Sequence, residues 1–205
     1  MKPTPTLSLA PDLVLRPAML VMVDRLSEAI VESGEEVYPA LPWLERGEAI
    51  RSQLWSYLED VSRMGKQGMC HHWVVVERGL HPVEAGVDEV GERIAGLVAL
   101  DTTPHLVVGH WNLGYWIRPA SQQNRLASRS IDAVLAWIGG AGGAPCAVEI
   151  RVDPANIAGL ATADSTAQRW QGDRFPDGDS EVDVDGSEVM HHCYLIPRLP
   201  LPHQN

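Results

Sequence analysis

The sequence predicts a mixed α/β fold in which a sheet is flanked by helices. Three strand patterns follow one another in the middle of the chain, whereas strands and helices alternate in its second half. Consecutive strands favour antiparallel pairing and alternation favours helices packed on the sheet, so a mixed sheet is expected. The chain has 205 residues, 45% of them apolar, which is enough for one sizeable core. We therefore expect one domain over residues 12–198, with a disordered tail at 1–11 and a second tail at 199–205.

Short apolar runs that end at proline, glycine or polar residues predict the strands. They are Leu13–Arg16, Trp73–Glu77, Arg93–Leu100, Leu106–Ile117, Ala147–Val152 and His192–Ile196. Apolar residues spaced three and four apart predict amphipathic helices. These are Ala18–Ser33, Glu48–Met64, Leu126–Ile138 and a helix capped by Asp153 that continues to about Ala167. Loops are predicted at Val37–Gly47, Arg78–Gly91 and Phe175–Gly186.

The charge balance argues against a nucleic-acid partner. There are 16 Lys and Arg residues against 27 Asp and Glu residues, a formal net charge of -11. An acidic protein repels phosphates and favours cationic partners such as amines or basic N-termini, although solubility alone explains the charge equally well. Three scattered cysteines and the lack of an apolar run of roughly 20 residues favour a cytoplasmic protein that does not enter a membrane.

Two clusters of cysteine and histidine residues are candidate metal ligands. Cys70, His71 and His72 begin one predicted strand, and His191, His192 and Cys193 begin another. Adjacent residues of a strand point to opposite faces, so each cluster offers at most two ligands on one side. We therefore expect no metal.

The segment His110–Ala127 is a candidate anion site. An apolar strand pattern stops at Pro119, and a polar loop then leads into a helix. The backbone N–H groups and the positive dipole end at such a helix N-terminus favour anions.

Four motifs carry a family resemblance. LVLRP at 13–17, ALPWL at 40–44, NLGYWIRP at 112–119 and EIRVDPAN at 149–156 resemble the GNAT acyltransferases, in particular the branch that acetylates ribosomal-protein N-termini. The resemblance implies a mixed, mostly antiparallel twisted sheet with a V-shaped splay between the fourth and fifth predicted strands. It also implies acetyl transfer from acetyl-CoA to an amine of a small molecule, a peptide or a protein N-terminus, and it allows a homodimer.

The resemblance also implies which residues hold acetyl-CoA. The strand end at Trp116 and Ile117 would pair with the pantetheine arm, and Asn156 would face that arm. The diphosphate would lie on a loop and helix start made of Gln122, Gln123, Asn124, Arg125, Leu126 and Ala127. Arg125 stands where the family loop has glycine, so its side chain either blocks the diphosphate or supplies a charge-assisted bond to it.

The positions that carry the chemistry depart from the family pattern. Asn112 stands in place of a glutamate and cannot act as a base, and Gly159 stands in place of a serine. His110 is the candidate base, because a strand places it on the face of Asn112 and an imidazole titrates near neutrality. Further candidate bases are His105, Asp101 and Glu149, and the candidate proton donors to the leaving thiolate are Tyr115 and Ser165.

Trp43 and Trp111 are the candidate walls of a substrate pocket, because aromatic side chains commonly line such cavities. The sequence therefore favours an acyl-CoA-dependent N-acyltransferase. Two alternatives stay open: a catalytically silent protein of the same fold that binds a ligand or partner, and a transferase that uses a different acyl donor.

Overall fold

The structure is a computed structural model that describes residues 3–79, 88, 91–102, 106, 110–122, 124–140, 145–184 and 186–199. Its strands are β1 (Leu7–Ala10), β2 (Leu13–Pro17), β3 (Cys70–Arg78), β4 (Glu92–Asp101), β5 (Trp111–Ile117), β6 (Cys146–Val152), β7 (Asp173–Arg174), β8 (Ser180–Val184) and β9 (Ser187–Leu199). The α-helices of the described residues are α1 (Val23–Ser33), α2 (Ile50–Gln67), α3 (Leu126–Gly140) and α4 (Ile157–Arg169).

The strands form one nine-stranded, mostly antiparallel sheet. Its order is β1-β2-β3-β4-β5-β6-β9-β7, and β8 pairs with β9 as a hairpin. The pairing of β5 with β6 is parallel and is confined to Trp111 with Val148 and Asn112 with Glu149. Beyond Asn112 the two strands separate. Because β5 and β6 are the fourth and fifth strands of the sequence prediction, the predicted V-shaped splay between them is confirmed.

Helices cover both faces of the sheet, and each face has its own apolar core. One core packs α3 and α4 against the sheet through side chains such as Ile131, Leu135 and Ala163. The other packs α1 and α2 through side chains such as Leu26 and Leu54. The apolar spacing in these helices is the pattern from which they were predicted, so the mixed α/β fold class is confirmed.

The N-terminal segment is more ordered than the sequence predicted. Residues 1–11 were expected to be a tail, but Leu7–Ala10 pairs with β2 as an antiparallel edge strand. Thr4 Oγ1 lies 3.0 Å from His71 Nδ1, and the indole N–H of Trp73 donates to the Pro5 carbonyl over 2.7 Å. These bonds fix a polar, proline-containing segment that has no strand signal of its own.

Two further expectations were wrong in the second half of the chain. The predicted loop Phe175–Gly186 contains β8, whose alternating polar residues form an exposed hairpin with β9. The cap of α4 is Asn156, whose Oδ1 accepts from Gly159 N over 2.8 Å, and not Asp153. Most of the predicted loop Arg78–Gly91 lies outside the described residues, as does His105.

Among the helices in the described parts of the chain, none is both long enough and apolar enough to cross a membrane.

Gly96 allows β4 and β5 to approach closely. A Cβ atom built at Gly96 would lie 2.1 Å from the carbonyl oxygen of Trp116, a backbone atom that cannot move without displacing β5. At Gly114, on the facing strand, the nearest atom to a new Cβ is the Ala99 Cβ at 4.0 Å. The two glycines therefore differ sharply in the space around them.

We expect Gly96→Ala to lower the free energy of unfolding by about 1–3 kcal/mol, because the added methyl group collides with the backbone of β5. Urea unfolding followed by circular dichroism measures the loss. Gly114→Ala is the matched control and should change stability by less than about 1 kcal/mol. Equal losses in the two variants would contradict the close approach at Gly96.

Candidate active site

A cleft opens where β5 and β6 diverge. The two strands are parallel there, so their carboxyl ends lie side by side, and α3 and α4 begin just beyond them. The cleft has two parts, an outer groove of about 580 Å³ and an inner pocket of about 380 Å³. Both parts are lined by Tyr115, Trp116, Asn156 and Gly159, so they meet at the point of divergence.

The outer groove reaches the first turn of α3. It is lined by Ile117, Gln122, Arg125, Leu126 and Ala127, all of which the sequence assigned to cofactor binding. The first backbone N–H groups of a helix have no partner within the helix, so this end of the groove suits an anion. Asn124 is exposed in the same loop, and Gln123 lies outside the described residues.

Arg125 adopts the backbone conformation that glycine would favour. Its φ is 55°, in the left-handed region, and its carbonyl oxygen accepts the bond from Arg129 N over 3.0 Å that starts α3. The side chain of Gln122 holds the other end of the loop by donating to the Ile117 carbonyl over 3.1 Å. The loop therefore keeps a left-handed turn without glycine, and Arg125 is an exposed residue that lines the groove.

Three residues occupy the junction of the groove and the pocket. The Tyr115 hydroxyl donates to the Gly159 carbonyl over 2.8 Å and so connects β5 to α4 across the splay. Burial raises the pKa of Tyr115, which keeps its hydroxyl protonated. The Asn156 side chain lies against Gly159, where a Cβ would come within 2.6 Å of its Nδ2. A serine at position 159 would therefore displace the asparagine that caps α4.

The inner pocket lies on the face of the sheet that carries α1 and α2. Trp43 and Tyr57 form one wall, with their rings stacked at 4.1 Å between centroids. Leu97 and Ala99 of β4 supply apolar surface opposite. The structure thus places the predicted Trp43 in a pocket wall, together with a tyrosine that the sequence did not single out.

Asp101, Asn112 and His72 form a polar cluster in the inner pocket. Asp101 and Asn112 are directly opposite each other on β4 and β5, and the Asn112 amide hydrogen-bonds to the carboxylate. His72 pairs with Ala99, which makes Asp101 its diagonal neighbour, and its Nε2 lies 3.9 Å from Asp101 Oδ2. The Tyr57 hydroxyl lies 2.8 Å from His72 Nδ1.

Burial gives the two titratable groups of this cluster opposite shifts. It raises the pKa of Asp101 to about 6, against a weaker lowering by the Asn112 hydrogen bond. It lowers the pKa of His72 to about 4, helped by the nearby His71. At neutral pH Asp101 is therefore ionised and His72 is neutral, so the two do not form an ion pair.

His110 lies at the closed end of the splay. Its backbone N–H donates to the Ala147 carbonyl over 2.8 Å, and its Nδ1 accepts from Ala147 N over 3.0 Å. The side chain is exposed and connects β5 to β6, and it does not line the inner pocket. The geometry therefore gives no support to His110 as a general base, because the bend before β5 turns it toward β6.

Trp111 and Glu149 also lie away from the cleft. Trp111 is buried in the core under α3 and α4, with its ring 5.5 Å from that of His71, so its indole is not a pocket wall. Glu149 is fully buried and pairs with Arg151 over 2.8 Å. Ser165 donates to the Thr162 carbonyl within α4.

The two Cys/His clusters do not come together. Their strands, β3 and β9, are separated in the sheet by β4, β5 and β6. Within the described residues, no three His, Cys, Asp or Glu side chains are grouped as metal ligands would be.

Known structures share this fold at low sequence identity. The acetyltransferase from Salmonella typhimurium that modifies the N-terminal serine of ribosomal protein L7/L12 superposes with a TM-score of 0.70 at 14% identity, over 93% of this chain and 98% of that chain. The ribosomal-protein-S5-alanine acetyltransferase of Vibrio fischeri gives 0.67 at 13% identity, over 93% and 95%. The microcin C7 self-immunity acetyltransferase MccE, in complex with acetyl-CoA and AMP, gives 0.64 at 15% identity, over 91% and 93%.

Comparison with curated protein sequences gives no significant match. The family is nevertheless established by sequence, because the protein-family model described as the acetyltransferase (GNAT) domain matches residues 12–165, well over half of the chain. The splayed strands and the helix that follows each of them are thus the acyl-transfer architecture of that domain, and this chain belongs to the GNAT acetyltransferase family.

Proposed function

We propose that the protein transfers an acetyl group from acetyl-CoA to the amine at a peptide or protein N-terminus. The observation that carries the proposal is the continuous cleft through the splay of β5 and β6, with an anion-favouring groove at one end and an acidic pocket at the other. Acetyl-CoA supplies an activated thioester carbonyl, and the protein must place an amine next to it. The junction at Tyr115, Asn156 and Gly159 is where the two would meet.

The free edge of β5 suits the amides of the pantetheine arm. Pairing with β6 stops at Asn112, so the backbone beyond it has no β6 partner where Leu113 and Gly114 line the pocket and Tyr115 to Ile117 line the groove. Main-chain groups on such an edge pair with an extended ligand as they would with another strand. Trp116 and Ile117 line the groove along this edge, which supports their predicted role.

Arg125 would bind the diphosphate. Its left-handed backbone preserves the turn before α3, so the helix N-terminus stays accessible. Arg125 lines the groove, and a guanidinium group bears the charge that pairs with phosphate oxygens. Of the two alternatives that the sequence left open, this geometry favours the phosphate ligand over the block.

The inner pocket would bind the acceptor. Asp101, Glu181 and Asp183 line it together with Arg151, so its carboxylates outnumber its guanidinium group. An excess of negative charge attracts a protonated amine, as does the net charge of the whole chain. One similar protein modifies the N-terminal serine of a ribosomal protein, and another is a ribosomal-protein-S5-alanine acetyltransferase, so a short peptide that begins with serine or alanine is the natural first acceptor.

Tyr115 remains our candidate for the proton donor to the departing thiolate. Its hydroxyl lies at the junction of groove and pocket and stays protonated at neutral pH. Asn112 no longer has a direct chemical role in this proposal, because its amide hydrogen-bonds to Asp101.

We expect the purified protein to release free thiol from acetyl-CoA in the presence of a peptide that begins with serine or alanine. Colorimetric thiol detection measures the rate, and mass spectrometry locates the acetyl group on the α-amine. The same peptide with a blocked N-terminus is the control and should give only background hydrolysis. Acetyl-CoA binding without transfer to any free amine would favour the catalytically silent alternative.

We expect Arg125→Gly to weaken acetyl-CoA binding about 10-fold or more, because a charge-assisted bond to phosphate is lost. Isothermal titration calorimetry measures the affinity. The variant should melt no lower than the parent, because glycine adopts a positive φ without strain. Arg125→Lys keeps the positive charge but cannot form a bidentate hydrogen bond, so its affinity for acetyl-CoA should lie between those of the parent and of Arg125→Gly. Tighter binding by Arg125→Gly would show that the arginine blocks the groove.

A further inference from the structure

We infer that Asp101 is the general base that accepts the proton of the acceptor amine. The inference rests on the proposed function, since it assigns a residue to the proposed amine transfer. It follows from the position of the carboxylate in the inner pocket, from the groups that surround it and from an oxygen atom that the fold leaves without a partner.

Asp101 is the last residue of β4 and lines the inner pocket with Leu97 and Ala99, which precede it at two-residue steps on the same face. The side chain is 21% exposed, so it is sheltered yet open to the pocket. Among the described residues, its Oδ1 is a buried oxygen with no hydrogen-bond partner. A buried acceptor left unsatisfied is costly, so the fold holds this carboxylate beside the pocket at a cost in stability.

The neighbours of Asp101 orient it without neutralising it. Asn112 donates a hydrogen bond from β5, and His72 on β3 is neutral at physiological pH. His72 is itself 92% buried by side-chain area, and its Nε2, which lies 3.9 Å from Asp101 Oδ2, has no hydrogen-bond partner among the described residues. The pocket therefore has polar groups at its floor and apolar and aromatic side chains in its walls. Such a pocket suits a ligand that is mostly apolar and ends in a polar group.

The charged and titratable groups around Asp101 come from five elements. They are Tyr57 of α2, Cys70 and His72 of β3, Arg151 of β6, Glu181 and Asp183 of β8, and His191 of β9, with the uncharged Asn112 of β5 directly opposite. Arg151 pairs with Glu149, and burial and Asp101 itself keep Tyr57 and Cys70 protonated by raising their pKa values. Asp101 is thus the buried carboxylate of the floor, while Glu181 and Asp183 are exposed at the rim.

The proton balance of the reaction is simple. The ammonium group of the acceptor gives one proton to Asp101 and becomes a neutral amine. The amine nitrogen attacks the thioester carbonyl carbon, the C–N bond forms and the C–S bond breaks. Tyr115 gives its hydroxyl proton to the departing thiolate and recovers the surplus proton from the nitrogen, and Asp101 returns its proton to solvent. A base with a pKa of about 6 is ionised at neutral pH and still accepts a proton readily.

Asp101→Asn tests the assignment, because the amide keeps the shape of the side chain and removes its basicity. We expect kcat with the serine peptide to fall about 100-fold or more, while the acetyl-CoA dissociation constant stays within about 2-fold of the parent value. In the parent, kcat/KM should fall as the pH drops through about 6, and this limb should be absent from the residual activity of the variant. Asp60→Asn, on the exposed face of α2, is the matched control and should leave rate and pH profile unchanged.

A second readout does not involve turnover. The folded protein holds the Asp101 pKa near 6, above its ordinary value of 3.8, so ionisation costs stability as the pH rises between these values. Asp101→Asn removes that cost. Its melting temperature should equal that of the parent below pH 4 and exceed it above pH 6 by about 3 °C or more. Differential scanning fluorimetry across pH 3.5–7.5 measures the difference, again with Asp60→Asn as control.

The outcomes separate the two proposals. Binding and turnover by the parent, combined with a variant that retains its rate and its acidic limb, would overturn Asp101 as the base and leave the transferase intact. Failure of the parent to bind acetyl-CoA or to acetylate any free amine would overturn both. A melting difference that does not grow between pH 4 and 6 would show that Asp101 ionises without penalty, and it would also count against the assignment.

Discussion

The whole site depends on the place at which β5 and β6 stop pairing. Their last shared register is Asn112 with Glu149, and His110 clamps the closed end through two bonds to Ala147. Beyond that point the Tyr115 hydroxyl spans the gap to Gly159. Parallel strands that separate toward their carboxyl ends leave unpaired backbone beside the N-termini of the helices that follow, which is where ligands of α/β sheets bind. His110, the base predicted from the sequence, here connects β5 to β6.

The spacing of apolar residues was sufficient to predict the helices and strands, but not which residues of neighbouring strands face each other. The helices and most strands were predicted because apolar residues repeat at three and four or fill short runs, and the splay followed from the family motifs. The cluster of His72, Asp101 and Asn112 was not predicted as a unit, because strand register decides which residues face each other across β3, β4 and β5. Asp101 lies one residue past the predicted strand Arg93–Leu100, and it was only one of the further candidate bases.

The loop before α3 shows a different limit of sequence reasoning. Arg125 stands where the family loop has glycine, and the sequence left open whether its side chain blocks the diphosphate or binds it. The φ of Arg125 is 55°, so the loop adopts the backbone conformation favoured by glycine although the residue is an arginine. Gln122 and the first bond of α3 hold the turn from both ends. A non-glycine residue in this conformation is a strain that the surrounding structure must maintain, and such strain concentrates at functional sites.

The carboxylate of Asp101 at the pocket floor is also costly for the fold. A carboxylate kept in a largely apolar pocket, with one oxygen unpaired and an uncharged histidine beside it, lowers the stability of the fold at neutral pH. An asparagine would fill the same volume next to Asn112 without that penalty. The neighbouring strand meanwhile carries Asn112 where the resembled family has glutamate, so the cleft still contains one carboxylate at this level, supplied from β4 instead of β5. The proposed role of Asp101 as the base accounts for this destabilising charge, whereas packing alone does not.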